Sequence, residues 1–299
     1  MAGRCPRRRL ASPAVVRELL AASGIHPRRS MGQNFLVDAN VLDIIAEAAS
    51  LSPGDTVIEV GAGLGALTEL LVESCREVFA LESDPRLARV LESELGFTDN
   101  LVLLEADAAG FDLSGLWPGE PPVGVKMVAN LPYSVAATLV VDCLLHFPWI
   151  TEYTVMLQRE VADRVTATPG SRSYSAATVK IACRASAKRV ARVSRNSFYP
   201  RPGVDSTLLR LERLGGDSVP GGPLEAGEEE FLDRVVTASF HQRRKKLANS
   251  LSSGLTPVDR QSVYSALASI GRGEGTRAEE LSPGEFVKLS RVIGEGLAR

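Results

Sequence analysis

An α/β fold built on a parallel sheet and followed by a helical tail is predicted by three observations. Short apolar runs alternate with helix-like runs from residue 56 onward, a glycine-rich turn joins the first run to the first helix, and everything beyond a Gly/Pro-rich stretch at 214–228 reads as helical. Strands alternating with helices at this spacing form right-handed βαβ units and a parallel sheet. At 299 residues and 44% hydrophobic, the chain is long enough for one large core and a smaller companion domain.

Each element has its own signal. Ser12-Pro13 ahead of AVVRELLAAS, with Gly24 behind it, is a cap, a proline at the first helical position and a terminating glycine, so residues 1–30 form an extension with one short amphipathic helix. Then follow TVIEV, a helix from about Leu67 to Ser74, EVFAL, a helix from Pro85 to Leu95, LVLLEA, VKMVA, and a helix to about His146. The series continues with the strand YTVML and helical stretches near 158–167 and 175–186. KRVARV and VDSTLLRL have no long crossover between them and read as an antiparallel pair at one sheet edge. Residues 214–228 hold five glycines and two prolines and read as a linker. The predicted organisation is an extension (1–30), an α/β domain (31–213), the linker, and a helical domain (229–299).

Composition narrows the function classes. No apolar run approaches the ~18–20 residues of a spanning helix, and the start of the chain lacks the apolar core of a secretory signal, so a soluble, cytoplasmic protein is expected. Cys5, Cys75, Cys143 and Cys183 are widely spaced, and His26, His146 and His241 stand apart from them and from one another. Neither a zinc site nor a disulfide framework is indicated, and chemistry without a metal or a thiol is expected. The net charge of −2 conceals a basic middle: residues 151–210 hold 11 Lys and Arg against 4 Asp and Glu. That excess is a hint of a polyanionic partner.

VIEVGAGLGALTEL places Gly61, Gly63 and Gly65 between a strand and a helix, where the backbone turns tightly and approaches a ligand with no Cβ in the way. Glu82 ends the second strand, where a carboxylate accepts from ribose hydroxyls, and Asp107 ends the third, LVLLEAD, where it accepts from an adenine amino group. Asp84, ahead of Pro85, is a good helix cap. Three such features at the ends of consecutive strands match the crevice where open α/β sheets bind nucleotides. The acid at Glu59, and Asn130-Leu131-Pro132-Tyr133 after the fourth strand, favour S-adenosylmethionine over NAD.

The Asn-Leu-Pro-Tyr turn fits one reaction. A purine amino group is a poor nucleophile because its lone pair is delocalised into the ring. Asn130 supplies a side-chain carbonyl and Leu131 a backbone carbonyl to hold its N–H groups, while Pro132 stiffens the turn. Tyr133 offers a face for an extruded base. No tuned general base is needed, because the nitrogen becomes acidic once alkylated.

MGQNFLVD (31–38), EVGAGLG, LESD (81–84), EADA (105–108), NLPYS, MLQREVADRV (156–165), NSFYPRPGVDSTLLRL (196–211) and FHQRRKKLANSL (240–251) together resemble the small-subunit (16S) ribosomal RNA adenine N6,N6-dimethyltransferase family, over roughly residues 15–255. The resemblance implies a Rossmann-like seven-stranded methyltransferase sheet with a small all-helical C-terminal domain. It further implies a monomeric enzyme that takes S-adenosyl-L-methionine and dimethylates two adjacent adenosines near the 3′ end of small-subunit rRNA, on a pre-30S ribosomal particle in the cytoplasm. By position, Asn34 and Leu36 would close over the cofactor, and Gly61, Glu82, Asp107 and Asn130 would contact it. Asn130, Leu131 and Tyr133 would face the base, with Phe198 stacking on its other side. Arg189, Arg192 and Arg195, with Arg243, Arg244, Lys245 and Lys246, are expected to follow RNA phosphates. The chain departs from the family pattern at Ser175, where glycine is usual, and in reading GAG where GPG is common.

Three competing readings share parts of this pattern. A large-subunit rRNA dimethyltransferase has the same fold and chemistry, but the leucine in NLPY and the FHQRRKKLANSL segment count against it. A non-catalytic assembly or transcription factor leaves intact Asn130, Pro132 and Tyr133 without a purpose. An NAD oxidoreductase leaves the whole NLPY turn unexplained.

Overall fold

The computed structural model describes residues 9–28, 32–108, 110–132, 135–225, 227–242 and 245–297. Helix α1 (Pro13–Ser23) ends at Gly24, whose φ of +64° reverses the chain as the capping glycine predicts. A two-residue strand β1 (Phe35–Leu36) leads into α2 (Ala39–Ala48), capped by Asp38. The alternating core follows as β2 (Thr56–Val60), α3 (Ala66–Ser74), β3 (Glu77–Glu82), α4 (Pro85–Leu95), β4 (Leu101–Glu105), β5 (Val125–Asn130), α5 (Ala136–His146) and β6 (Ile150–Gln158). Then come α6 (Arg159–Val165), α7 (Ala176–Ala182), β7 (Ala185–Val193), β8 (Phe198–Tyr199) and β9 (Ser206–Arg213). Helices α8 (Glu228–Phe240), α9 (Leu247–Gly254), α10 (Arg260–Ser269) and α11 (Pro283–Leu297) complete the order.

Seven strands form one sheet in the order β4-β3-β2-β5-β6-β9-β7. Strands β2 to β6 pair in parallel, and β9 runs antiparallel to β6, with Tyr153 opposite Leu211. The order changes direction between β2 and β5, so a crevice is expected at their carboxyl ends. Every residue of β2 is buried, as a central strand covered on both faces requires. The helical stretch expected over 175–186 is shorter than the sequence suggested. It ends at Ala182, and Ala185 already belongs to β7.

The two-residue strands pair antiparallel, Phe35 with Tyr199 and Leu36 with Phe198, and this small sheet was not foreseen. Its strands are too short to show the alternation that marks a strand in sequence.

The chain divides into two compact units, one of Met1–Leu139, Phe147–Ala162 and Lys188–Glu212, the other of Val140–His146, Asp163–Ala187 and Arg213–Arg299. In the first, Leu42 and Ile45 of α2, Val57, Val78 and Val128 of the sheet, and Leu71 of α3 share one buried cluster. Lys126 is buried there as well. Its Nζ donates to Ala49 O (3.1 Å), Ser50 O (2.9 Å) and Asp55 Oδ2 (3.0 Å), ending α2 with a cation from the sheet. In the second unit, Tyr174, Leu232, Val236, Leu251, Leu267 and Phe286 are buried together, and the Tyr174 hydroxyl donates to Leu281 O (2.8 Å). Its core therefore extends beyond the residues that follow the glycine-rich segment.

Ser175 has φ −152° and caps α7, its N–H donating to Thr178 Oγ1 (3.0 Å). An extended φ suits any residue, so serine at this position demands no left-handed backbone.

Candidate active site

Glu59 in β2, the glycine turn after it, Glu82 at the end of β3 and Asn130 at the end of β5 line one cavity. It opens at the carboxyl ends of the strands, beside the point where the strand order reverses. Gly61, Gly63 and Gly65 have φ of +76°, +61° and +88°, backbone that side chains other than glycine adopt at a cost. A Cβ at Gly63 would lie 3.2 Å from the Phe35 ring, so the 32–36 segment closes directly on the glycine turn. The cavity measures about 80 Å³.

Glu82 is held by backbone. Its Oε2 accepts from Gly63 N–H (2.8 Å) and its Oε1 from Asp84 N–H (2.8 Å). Burial raises its pKa while these hydrogen bonds counter the rise. An ionised carboxylate has about four acceptor positions, so these N–H groups do not use all of them. Asp84 caps α4 by accepting from Arg86 N–H (3.1 Å), as Asp-Pro predicts. The Arg86 guanidinium, with the α4 cap and Gln33, holds the Asp84 carboxyl far below the ordinary carboxylate range. Gln33 Nε2 donates to Asp84 Oδ2 (3.0 Å), and its Oε1 accepts from Arg28 N–H (2.8 Å). Gln33 thus ties the segment that roofs the cavity to the start of α4. Its role was not anticipated, because nothing in a lone glutamine shows a partner 51 residues away.

Asn130 sits where β5 gives way to the Leu131-Pro132 turn. Its Nδ2 donates to Asn34 O (3.3 Å), which orients the carboxamide and leaves Oδ1 as the group able to accept from a ligand. A Cβ at Gly61 would lie 3.6 Å from Pro132 Cδ, so the glycine turn and the proline turn are in contact. Asn34, Leu36, Gly61, Glu82 and Asn130 are therefore brought to one cavity wall.

The other expected residues fall elsewhere. Leu131 is 1% exposed and is not part of the cavity wall. Tyr133 lies outside the described residues. Asp107, beyond the end of β4, is exposed and is not part of the cavity wall. Phe198 was expected to stack on an extruded base. Instead it is 3% exposed and belongs to the buried cluster with Leu36, Val193 and Leu208. Its pairing with Leu36 in the small sheet turns the ring into the core, a placement that the proline-punctuated sequence did not reveal.

Arg189, Arg192 and Arg195 are exposed along β7 and the turn after it. Arg192 Nη2 bonds Asp205 Oδ2 (2.6 Å), and the Arg195 N–H donates to Asp205 Oδ1 (3.1 Å). Lys245 and Lys246 are exposed ahead of α9 in the other unit, and Arg243 and Arg244 lie outside the described residues. Among the described residues no group of three metal-ligating side chains occurs, and no helix is long and apolar enough to cross a membrane.

A mostly parallel seven-stranded sheet whose glycine turn, strand-end acid and amide share one crevice defines a Rossmann-like methyltransferase. The family model described as ribosomal RNA adenine dimethylase matches residues 25–294. Similar curated proteins include the ribosomal RNA small subunit methyltransferase A of Moorella thermoacetica, 38% identical over 290 residues (95% of this chain, 98% of that one). The same-named protein of Pelotomaculum thermopropionicum is 40% identical over 294 residues (94% and 96%). Among solved structures, 23S rRNA methyltransferase ErmE aligns with a TM-score of 0.63 at 30% identity, covering 87% of this chain and 100% of that one. A dimethyladenosine transferase from Plasmodium falciparum shares the fold, with a TM-score of 0.69 at 23% identity over 85% of this chain and 95% of that one. The chain belongs to the ribosomal RNA adenine dimethylase family and is a methyltransferase of that class.

Proposed function

We propose that the chain dimethylates N6 of two adjacent adenosines near the 3′ end of small-subunit (16S) rRNA, with S-adenosyl-L-methionine as donor. The observation that carries this reading is the Asn130 carboxamide, oriented by Asn34 O in the wall of a cavity that Glu82 also lines. The wall suits an adenosine-bearing cation: Glu82 keeps free acceptor positions for ribose hydroxyls, the glycine turn admits close backbone approach, and no Lys, Arg or His is among its described residues. When bound, S-adenosyl-L-methionine supplies a methyl group activated by its sulfonium.

The protein's part is to hold the base. Asn130 Oδ1 and Leu131 O accept from the two N–H bonds of the adenine amino group and draw its nitrogen out of conjugation. Tyr133 stacks on the extruded ring. Pro132 keeps the two acceptors in fixed relation, so little reorganisation accompanies the reaction. The proton shed by the alkylated nitrogen passes to water without a tuned base. Asp107 extends the cofactor site beyond Glu82 toward the adenine. The exposed arginines of β7 track phosphates, and the protein acts as a monomer in the cytoplasm.

Transfer of tritiated methyl groups to unmethylated small and large ribosomal subunits, side by side, tests the reading. Label in two adjacent adenosines of the small subunit is expected. Label confined to the large subunit would replace this substrate with that of the ErmE-like relative.

A further inference from the structure

Glu59 is a buried acid that the reaction above does not use. It is 1% exposed and lines the cavity, and its Oε2 has no hydrogen-bond partner among the described residues. Thr68 Oγ1, which faces the same carboxyl from α3, likewise lacks an aligned partner. The charged group that acts on it is Glu82, from β3. The other polar side chains of the wall, Gln33 and Asn34 from the roof segment, Ser83 after β3 and Asn130 from β5, are uncharged. Glu59 and Glu82 are the only titratable side chains among the described wall residues.

Two ionised carboxylates in one small cavity without a cation repel each other, so one of them keeps a proton. Glu82 is stabilised as the anion by two backbone N–H groups, and Oε2 of Glu59 has no such donor. The proton therefore resides on Glu59.

We propose that Glu59 is a charge sensor for the cofactor: a neutral acid in the ligand-free protein, it releases its proton to solvent when a cationic group of the ligand is seated beside it. The inference rests on the S-adenosyl-L-methionine reading and adds a device that distinguishes cationic from neutral adenosine compounds. Burial, opposed by the Thr68 hydroxyl and reinforced by the charge of Glu82, pushes the Glu59 carboxyl up to about 8. A cation at contact distance lowers that value again. The free protein then holds one more proton than the complex at neutral pH, and affinity rises with pH by linkage.

The cationic group is either the ammonium or the sulfonium of the ligand, and three ligands separate them. S-adenosyl-L-methionine carries both, S-adenosylhomocysteine keeps the ammonium alone, and 5′-methylthioadenosine has neither. Isothermal titration near pH 6.5, in buffers of different ionisation enthalpy, counts protons released while the ligand amine (pKa about 7.7–8.0) stays charged. Close to one proton is expected with S-adenosyl-L-methionine and none with methylthioadenosine. Release with S-adenosylhomocysteine assigns the ammonium, and no release assigns the sulfonium. Over about pH 5.5–7 the wild-type affinity should rise up to ~10-fold per pH unit, and Glu59→Gln should abolish both the release and the slope. Its thermal melt is the folding control, and the three-ligand comparison on the wild type stands without it. Binding without proton release, equal release by Glu59→Gln, or release with methylthioadenosine would overturn the inference and leave the cofactor reading intact. Failure of S-adenosyl-L-methionine to bind would instead overturn that reading and this inference with it.

Discussion

Asn130 Nδ2 donates to the backbone carbonyl of Asn34 across 3.3 Å, joining two residues 96 positions apart. An unconstrained carboxamide presents oxygen or nitrogen with similar ease. With the nitrogen engaged on a carbonyl, which cannot donate, the oxygen is the acceptor left to meet an amino group. Asn130→Ala should therefore lower methyl transfer by about 10²–10³ while leaving the thermal melt nearly unchanged. Near-normal turnover by the purified variant would remove Asn130 from the site.

Phe198 makes a contrasting prediction. Because its ring is in the core, Phe198→Ala should lower unfolding free energy by about 3–5 kcal/mol, read by chemical denaturation. An unshifted denaturation midpoint combined with a fall in kcat/KM would return Phe198 to the base-stacking role suggested by the sequence.

The glycine turn is tightest at Gly65, where a Cβ would lie 2.6 Å from Leu91 Cδ1 on α4 and 3.2 Å from Leu10 Cδ1. Its φ of +88° adds a backbone penalty. Gly65→Ala should destabilise by roughly 1–3 kcal/mol from overpacking, with a further ~1–2 kcal/mol from the left-handed backbone. The denaturation midpoint should fall at unchanged slope.

In the helical unit, the Arg272 guanidinium is paired with Glu285, its Nε 2.6 Å from Oε1, and Ser282 donates to Oε2 (2.8 Å). Together they hold the Glu285 carboxyl at about 2, against an ordinary 4.5. A carboxylate depressed in the folded state contributes stability above its unfolded pKa and loses it as pH falls through the folded one. Thermal melts of the wild type should decline between about pH 4.5 and pH 2, and Glu285→Gln should decline less steeply over that range.

Arg189 and Arg192 are exposed on the edge strand β7. If they meet phosphates, neutralising both should weaken rRNA binding and reduce its salt dependence by about 0.7–0.9 log units per lost contact. Binding of S-adenosyl-L-methionine should not change. A wild-type salt slope in the double variant would move the RNA footprint away from this strand.

Much of the architecture was legible because it depends on short-range patterns. The apolar runs that became β2, β3 and β4, the Asp84-Pro85 cap of α4 and the terminating Gly24 are each decided within a few residues by periodicity, a fixed φ or a missing Cβ. The positions of Gly61, Glu82 and Asn130 at strand ends could be read in the same way, since a βαβ succession with its right-handed crossovers places the ends of neighbouring strands at one edge.

What only the tertiary structure decided are relations between distant residues. The sequence showed an aromatic at Phe198, but the pairing of Leu36 with Phe198 chose the core as its surroundings. It showed an amide at Asn130, but a carbonyl brought in by the 32–36 segment set the direction in which that amide points. It showed an acid at Glu59, but whether an acid is a surface charge or a buried orphan depends on how many donors the fold brings to it. At Glu82 the fold supplied two backbone N–H groups, and at Glu59 Oε2 it supplied none. Local pattern sets which groups are available, and long-range packing sets the solvation and partners that determine their chemistry.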